Sequence, residues 1–250
     1  MSSCVRLIAL SAVLSALLLA PPVEAKPTPI FAALADPARS DKDRAKDEGR
    51  MPAAILEFAG IKRGQVIADV FAGGGYYTVL LSDLTGPMGT VYALNPPGEN
   101  DAKVWPTLLP THKNIRLIVA PVTALQMGPR SLDVLFSHLN YHDLYWESTK
   151  YGFTKLDVPA VLSGWFSEVK PGGHVVIVDH VGPAGDTRAI VDKMHRIDPD
   201  RVKADMAAAG FVLESESNVL HRSEDGHDKG VFDATVRGKT DRFVMKFKRP

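Results

Sequence analysis

The stretch Gln65–Tyr77 combines residue types that could bind a charged ligand. Apart from Asp69, Val66–Phe71 is nearly all apolar, as is typical of a strand buried on both faces of a parallel sheet. Gly73–Gly75 then allows the backbone to take positive φ angles and to approach a ligand closely. A helix predicted to begin at Tyr76 would direct its free backbone N–H groups to the same place. The stretch therefore predicts a cofactor pocket, although any tight strand-to-helix turn also uses glycine.

A second group of polar residues, Asn140, Tyr141, His142 and Asp143, follows the fourth predicted strand. Ligands of open α/β sheets bind outside the carboxyl ends of the strands. Imidazole titrates near neutral pH, so His142 is a candidate base, with Asp143 orienting it or another partner. Asn140 could position a substrate through its carbonyl, and Tyr141 could stack on that substrate. The alternative is that Asp143 caps a helix and His142 packs beneath the connection 146–158.

Other polar residues at the same edge offer weaker hypotheses. A metal site built from His138, His142, Asp143 and His180 can be drawn, but no tight ligand motif, such as two histidines four apart on one helix, supports it. We therefore predict no metal. Arg196, between two predicted helices, is a candidate to hold an acidic substrate, and a simple helix–helix corner explains it equally well.

Composition places the chain among soluble globular proteins. Of its 250 residues, 45% are apolar and 23% are charged, and 29 basic residues balance 29 acidic ones. This length allows one domain with a sizeable core. With zero net charge, the chain lacks the excess of basic residues that is typical of proteins that bind nucleic acid or an anionic membrane surface. We therefore expect no nucleic-acid partner.

The N-terminus differs in kind from the rest of the chain. Arg6 precedes the apolar stretch Leu7–Ala20, and small residues precede a cleavage point after Ala25. The stretch is shorter than the roughly 20 residues of a membrane span, so we predict a signal peptide of residues 1–25 and export to the periplasm. An uncleaved membrane anchor is the alternative. The only cysteine, Cys4, lies in this segment, so the mature chain would contain no thiol.

Strands and helices alternate after a helical extension predicted for residues 40–60, itself preceded by an irregular segment, 26–37. The pattern predicts an α/β fold with a doubly wound, mostly parallel sheet. Residues 221–239 show no helical pattern, so the last two strands should form an antiparallel hairpin. The seven predicted strands are Val66–Phe71, Thr90–Asn95, Ile115–Ala120, Leu132–Asn140, His174–Asp179, Phe211–Leu220 and Asp241–Lys248.

This order of elements resembles that of class I S-adenosylmethionine-dependent methyltransferases. The segments that carry the resemblance are DVFAGGG from Asp69, LDVLF from Leu132, PGGHVVIVD from Pro171 and DRFVMKF from Asp241. The chain resembles more closely a bacterial branch of predicted methyltransferases that often carry signal peptides. The motifs of that branch are AGGGYYT, NYHDLY, HRIDP and RGKTDRF, present here from Ala72, Asn140, His195 and Arg237. The resemblance covers about residues 45–250.

The resemblance implies a Rossmann-like methyltransferase domain over residues 26–250 that transfers a methyl group from S-adenosylmethionine to a small-molecule acceptor. Asp69 would orient the glycine loop or the ammonium group of the cofactor. The loop would wrap the methionine part of the cofactor through Ala72, Gly73, Gly74 and Gly75.

Two positions depart from the family pattern. Phe71 stands where the first glycine of the loop is usual, and Asn95 stands where an acid usually accepts bonds from the ribose hydroxyls. An amide can still bond a ribose, without the strength that charge adds, and Glu99 is a second candidate for that contact. These departures, with the predicted export, keep open an alternative: an exported ligand-binding protein of the same fold without catalytic activity. A nicotinamide oxidoreductase is a third hypothesis, disfavoured by the glycine spacing.

Overall fold

The computed structural model describes residues 29–250. The signal peptide predicted for residues 1–25 lies outside this range. The strands are β1 (Val66–Val70), β2 (Thr90–Asn95), β3 (Ile115–Val119), β4 (Leu132–His138), β5 (Val169–His180), β6 (Val212–Ser217) and β7 (Arg242–Lys248). The helices are α1 (Pro29–Leu34), α2 (Asp41–Arg44), α3 (Asp47–Arg50), α4 (Pro52–Ala59), α5 (Tyr76–Thr85), α6 (Trp105–Thr111), α7 (Val158–Glu168), α8 (Thr187–Met194) and α9 (Pro199–Ala208).

All seven strands join one sheet in the order β3-β2-β1-β4-β5-β7-β6. The first five strands in this order pair in parallel, and β7 pairs antiparallel with both β5 and β6. The connection from β6 to β7 contains no helix, and a parallel return within a sheet needs a long crossover connection. The predicted fold class, a doubly wound and mostly parallel sheet that ends in an antiparallel hairpin, is confirmed.

Both faces of the sheet are buried, which explains why its central strands are almost continuously apolar. Along β5, Val175 and Ile177 pack into one hydrophobic cluster with α7 and α9, and the alternate residues Val176 and Val178 pack into a second cluster with α4 and α5. In β4, Leu135 packs into the first cluster and its neighbours Val134 and Phe136 pack into the second. The charged segment 40–60 therefore contributes apolar residues of α4 to the core.

One local prediction was wrong. Residues 26–37 were expected to be irregular, yet Pro29–Leu34 forms helix α1, which packs on α4 and α5. Proline is tolerated in the first turn of a helix, because its missing N–H has no helical partner there. Ala33 is buried in the core, so tertiary packing stabilises this short helix. Among the helices of residues 29–250, none is both long and apolar enough to cross a membrane.

Candidate functional site at the carboxyl edge of the sheet

The glycine loop connects β1 to α5 in a tight left-handed path. Gly75 has a φ of 81°, and a Cβ atom there would lie 3.1 Å from side-chain atoms of both Trp105 and Leu108. Glycine is therefore needed for the backbone angle and for the close packing against α6. Phe71 also has a left-handed φ, 53°, and its ring packs edge-on against Phe153 at 5.8 Å between centroids. The backbone at position 71 thus takes a conformation that favours glycine, although the residue is phenylalanine.

Asn95 holds this loop in place from the end of β2. Its Oδ1 accepts a hydrogen bond of 2.8 Å from the Gly73 N–H, and its Nδ2 donates to the Gly73 carbonyl at 3.2 Å. Nδ2 also donates to Oδ1 of Asn100 at 3.2 Å, and the Asn95 side chain is fully buried. The role predicted for Asn95, a contact with the cofactor ribose, does not fit this geometry because both ends of its amide already bond the protein.

A cavity of about 450 Å³ opens beside the glycine loop, and we call it the glycine-loop cavity. The loop forms one wall, and the segment 38–50 before and within α2 and α3 forms another. The start of α6 and the end of β4 complete it. Its polar and charged lining residues are Ser40, Lys42, Asp43, Lys46, Arg50, Asp69, Tyr76, Tyr77, Asp101, Lys103, Thr107, His138 and Asn140.

Asp69 and Asp101 bring two carboxyl groups to this cavity. Burial raises the pKa of Asp69 to about 7, although a hydrogen bond of 2.6 Å from the Thr78 hydroxyl opposes the shift. Asp101 lies against the glycine loop, where its Oδ2 is 3.7 Å from the position that a Cβ on Gly74 would take. Glu99, the alternative ribose contact, is not among the lining residues. Burial and the nearby carboxylate of Asp143 raise the pKa of Glu99. Glu99 therefore lies near Asp143 and not in the glycine-loop cavity.

Two lining residues of this cavity each carry a buried polar atom that has no hydrogen-bond partner among residues 29–250. These atoms are Oη of Tyr77 and Nε2 of His138, whose rings lie 4.5 Å apart. Buried polar atoms are normally paired, so these two are candidates to bond a water molecule or a ligand group that reaches them. Burial keeps the pKa of His138 well below its usual value, so this imidazole is uncharged at neutral pH.

Asn140 ties the end of β4 to the glycine loop and also lines the cavity. Its Nδ2 donates to the Val70 carbonyl at 2.6 Å, and its Oδ1 accepts a bond of 2.6 Å from the Ser137 hydroxyl. Tyr141 points away from the cavity. It is fully buried, its ring contacts Trp165, and its hydroxyl donates to Asp205 at 3.2 Å. The prediction that Tyr141 stacks on a substrate was wrong, because this ring fills the core beneath α7 and α9.

His142 lies between two carboxylates. Its Nδ1 is 2.8 Å from Asp179, which also accepts the His142 backbone N–H at 2.8 Å, and its Nε2 is 3.4 Å from Asp143. Burial alone would lower the pKa of His142, but these carboxylates raise it to about 9. The raised pKa favours the protonated imidazole at neutral pH, so the base chemistry predicted for His142 stays a prediction. Asp179, which orients the ring, was not identified from the sequence.

The HRIDP motif meets the NYHDLY motif at this cluster. His195 ends α8 in a left-handed conformation, with its Nδ1 3.8 Å from Asp143 and its ring 5.4 Å from that of His142. The ligand atoms of His142, Asp143 and His195 lie within 4.8 Å of one another, a spacing that a metal ion could bridge. The absence of a metal stays a prediction. His138 and His180 lie outside this group.

Arg196 is not available to a substrate. Its guanidinium is fully buried and donates to both carboxylate oxygens of Asp225, at 2.8 and 2.9 Å. Further bonds to the carbonyls of Val181 and Lys229 complete its partners. Arg196 therefore fixes the connection between β6 and β7 to α8, and its predicted grip on an acidic substrate was wrong.

Phe71 also lines a smaller, apolar cavity of about 240 Å³. Val70, Leu125, Leu135 and Trp165 contribute to its walls. The segment 121–131 between β3 and β4 contains one short 3-10 helix, Val122–Ala124. Phe71 is thus a lining residue of both cavities.

No protein-family model and no curated protein matches the chain. Solved structures of other proteins match it in fold. A SAM-dependent methyltransferase from Aquifex aeolicus is 19% identical with a TM-score of 0.58, over 91% of this chain and 100% of that one. Geranyl diphosphate C-methyltransferase from Streptomyces coelicolor is 15% identical with a TM-score of 0.57, over 88% of each chain. A methyltransferase from Mesorhizobium loti is 14% identical with a TM-score of 0.54, over 78% of this chain and 96% of that one. The chain therefore has the Rossmann-like fold of class I SAM-dependent methyltransferases.

Proposed function

We propose that the protein is a SAM-dependent methyltransferase that acts on a small-molecule acceptor. The observation that carries this proposal is the glycine-loop cavity, which combines a glycine-rich strand-to-helix turn with lining residues of both charges. Its volume of about 450 Å³ lies within the range of small-ligand sites. The fold shared with methyltransferases supports the same conclusion.

The charged residues of the cavity match the charges of SAM. Asp69 would accept hydrogen bonds from the ammonium group of the methionine part. Arg50 and Lys46 would hold its carboxylate. Asp101 would accept bonds from the ribose hydroxyls, in place of the acid that Asn95 replaces at the end of β2. In each of these three contacts at least one partner is charged, and hydrogen bonds with a charged partner are stronger than neutral ones.

When bound, SAM supplies an electrophilic methyl group, which bonds to an acceptor lone pair while the electrons of the carbon–sulfur bond return to sulfur. The contribution of the chain is to position the acceptor and to exclude water. Asn140 joins the end of β4 to the loop and fixes their relative positions. His142 lies between Asp143 and Asp179, which raise its pKa, so its protonated form would supply positive potential at the same edge.

The test is methyl transfer by the purified protein from radiolabelled SAM to the small-molecule fraction of a bacterial extract. The proposal expects labelled product, and SAM binding that weakens about 10- to 100-fold in Asp101→Asn, because a hydrogen bond to a charged group contributes about 1.5–3 kcal/mol. Asp192→Asn, an exposed change on α8, is the matched control and should bind SAM like the parent. SAM binding without any labelled product would favour the non-catalytic alternative, and no SAM binding would contradict the proposal.

We further propose that the protein is exported through residues 1–25. The support is the sequence pattern of a short apolar stretch after Arg6. Fractionation of cells that express the full chain tests this proposal. Export predicts a periplasmic protein whose N-terminus begins near Lys26, and a cytosolic protein that retains Met1 would contradict it.

A further inference from the structure

A second cavity, of about 650 Å³, adjoins the glycine-loop cavity and shares Lys46 and Arg50 with it. We call it the basic cavity. The ends of β4 and β5 contribute Leu139 and His180, and the connection before β7 covers it. One acidic residue, Glu48, stands among the lining residues. The basic side chains that line it are Lys46, Arg50, Arg222, Arg237, Lys239 and Arg242.

Within residues 29–250, Lys46 is the only one of these six that forms an ion pair, with Asp43 at 2.7 Å. Arg242 is the most buried, at 5% exposed. Its Nη1 donates to the Gly49 carbonyl at 2.8 Å and its Nε to the Thr240 hydroxyl at 3.2 Å, both of which are uncharged. Burial, with Arg50 close by, lowers the pKa of Arg242 to about 10. A charged side chain this deep is normally paired with an opposite charge.

The two other buried arginines of residues 29–250 each bond a carboxylate, and Arg39 does so with Asp47. Arg196 is fully buried, and Asp225 bonds its guanidinium through two oxygens at 2.8 and 2.9 Å. The fold therefore supplies a carboxylate where an arginine has a structural role. Arg242 lacks one, which indicates that its counter-charge comes from a ligand.

The RGKTDRF motif builds much of this cavity. Arg237, Lys239 and Arg242 line it, while the one acid of the motif, Asp241, is bonded elsewhere. Asp241 accepts the Arg222 backbone N–H at 2.7 Å and lies 2.9 Å from Nε2 of His227. The three basic side chains of the motif therefore line the cavity, whereas its one carboxylate, that of Asp241, does not.

We propose that the basic cavity binds the methyl acceptor, and that this acceptor is a small molecule with at least two anionic groups, carboxylates or phosphates. The inference rests on the proposed function, because it takes the neighbouring glycine-loop cavity as the site of the methyl donor. Lys46 and Arg50 lie on both cavities, so the acceptor would bind next to the donor. The volume of the cavity, about 650 Å³, suits a metabolite.

Isothermal titration of the full chain with citrate, a tricarboxylate, and with pyrophosphate tests the inference and distinguishes the two kinds of anion. At least one of them should bind, and acetate, with a single charge, should bind at least tenfold more weakly. The double variant Arg222→Gln/Arg237→Gln should weaken that binding at least tenfold. Both side chains are partly or largely exposed, so this variant should fold. Arg63→Gln, before β1 at the opposite edge of the sheet, is the matched control and should bind like the parent.

The outcomes separate this inference from the proposed function. The double variant changes no residue of the glycine-loop cavity, so its SAM affinity should equal that of the parent. SAM binding without binding of citrate or pyrophosphate would overturn the inference alone. Anion binding that survives the double variant would also overturn it, as would a single-stranded oligonucleotide that binds at lower concentration than either anion. If the parent protein did not bind SAM, both the inference and the proposed function would be overturned.

Discussion

Replacing Asn95 by aspartate separates two accounts of how this site binds a donor. If residue 95 contacts the ribose, as the resemblance implied, a carboxylate should strengthen SAM binding. In the structure, however, Nδ2 of Asn95 donates to the Gly73 carbonyl and to Oδ1 of Asn100, both at 3.2 Å. A carboxylate cannot donate, so Asn95→Asp places acceptor against acceptor at a fully buried position.

The magnitude follows from those two lost bonds. Each acceptor left without its donor costs about 1–3 kcal/mol, so Asn95→Asp should lower the free energy of unfolding by roughly 2–6 kcal/mol at pH 7. The loop that Asn95 holds should also loosen, and SAM should bind more weakly. Urea denaturation followed by circular dichroism measures the first effect, and isothermal titration measures the second.

Asn100→Asp provides the matched control, because Oδ1 of Asn100 acts as an acceptor in the bond from Asn95. The same chemical change there keeps that bond and should alter stability by less than about 1 kcal/mol. If Asn95→Asp bound SAM more tightly and unfolded at the same urea concentration as the parent, the loop-holding role of Asn95 would be refuted.

Three further predictions follow from the geometry. SAM affinity should rise at least about tenfold between pH 5.5 and 7.5 as Asp69, whose pKa is about 7, ionises, and Asp69→Asn should remove this rise in isothermal titration. Because the pKa of His142 is raised from 6.5 to about 9, its proton stabilises the fold fully below pH 6.5, and this contribution, about 3 kcal/mol, is lost as the pH rises through 9. Urea denaturation of parent and His142→Gln across this range should show the difference shrinking with pH, and a constant difference would contradict it. Gly98→Ala should lower the melting temperature by several degrees, because its Cβ would lie 2.0 Å from the Tyr151 carbonyl oxygen, whereas Gly128→Ala, which meets open space, should not.

The fold could be predicted because its signals are local. Continuous apolar runs such as Val175–Val178 arise when both faces of a strand are buried, and the absence of a helical pattern in 221–239 indicated the final hairpin. Helix α1 escaped prediction because its stability comes from contacts with α5, far along the chain. Short proline-containing segments carry no periodicity that would reveal such packing.

The candidate site was only partly predictable. The glycine loop and Asn140 were placed at the correct edge, because strand ends converge there. Arg50 and Asp101 reach the cavity from other segments, and nothing in their local sequence marks them as ligand contacts. Tyr141 and Arg196 were predicted to bind a ligand, but both are fully buried. Tyr141 packs in the core, and Arg196 is paired with Asp225.

The most direct test of the central claim is a crystal structure of the protein soaked with S-adenosylhomocysteine. The proposal predicts density in the glycine-loop cavity, with the amino-acid end near Asp69 and the ribose within hydrogen-bond distance of Asp101. Density in the apolar cavity on the other side of Phe71, or a glycine-loop cavity that stays empty at millimolar ligand, would contradict it.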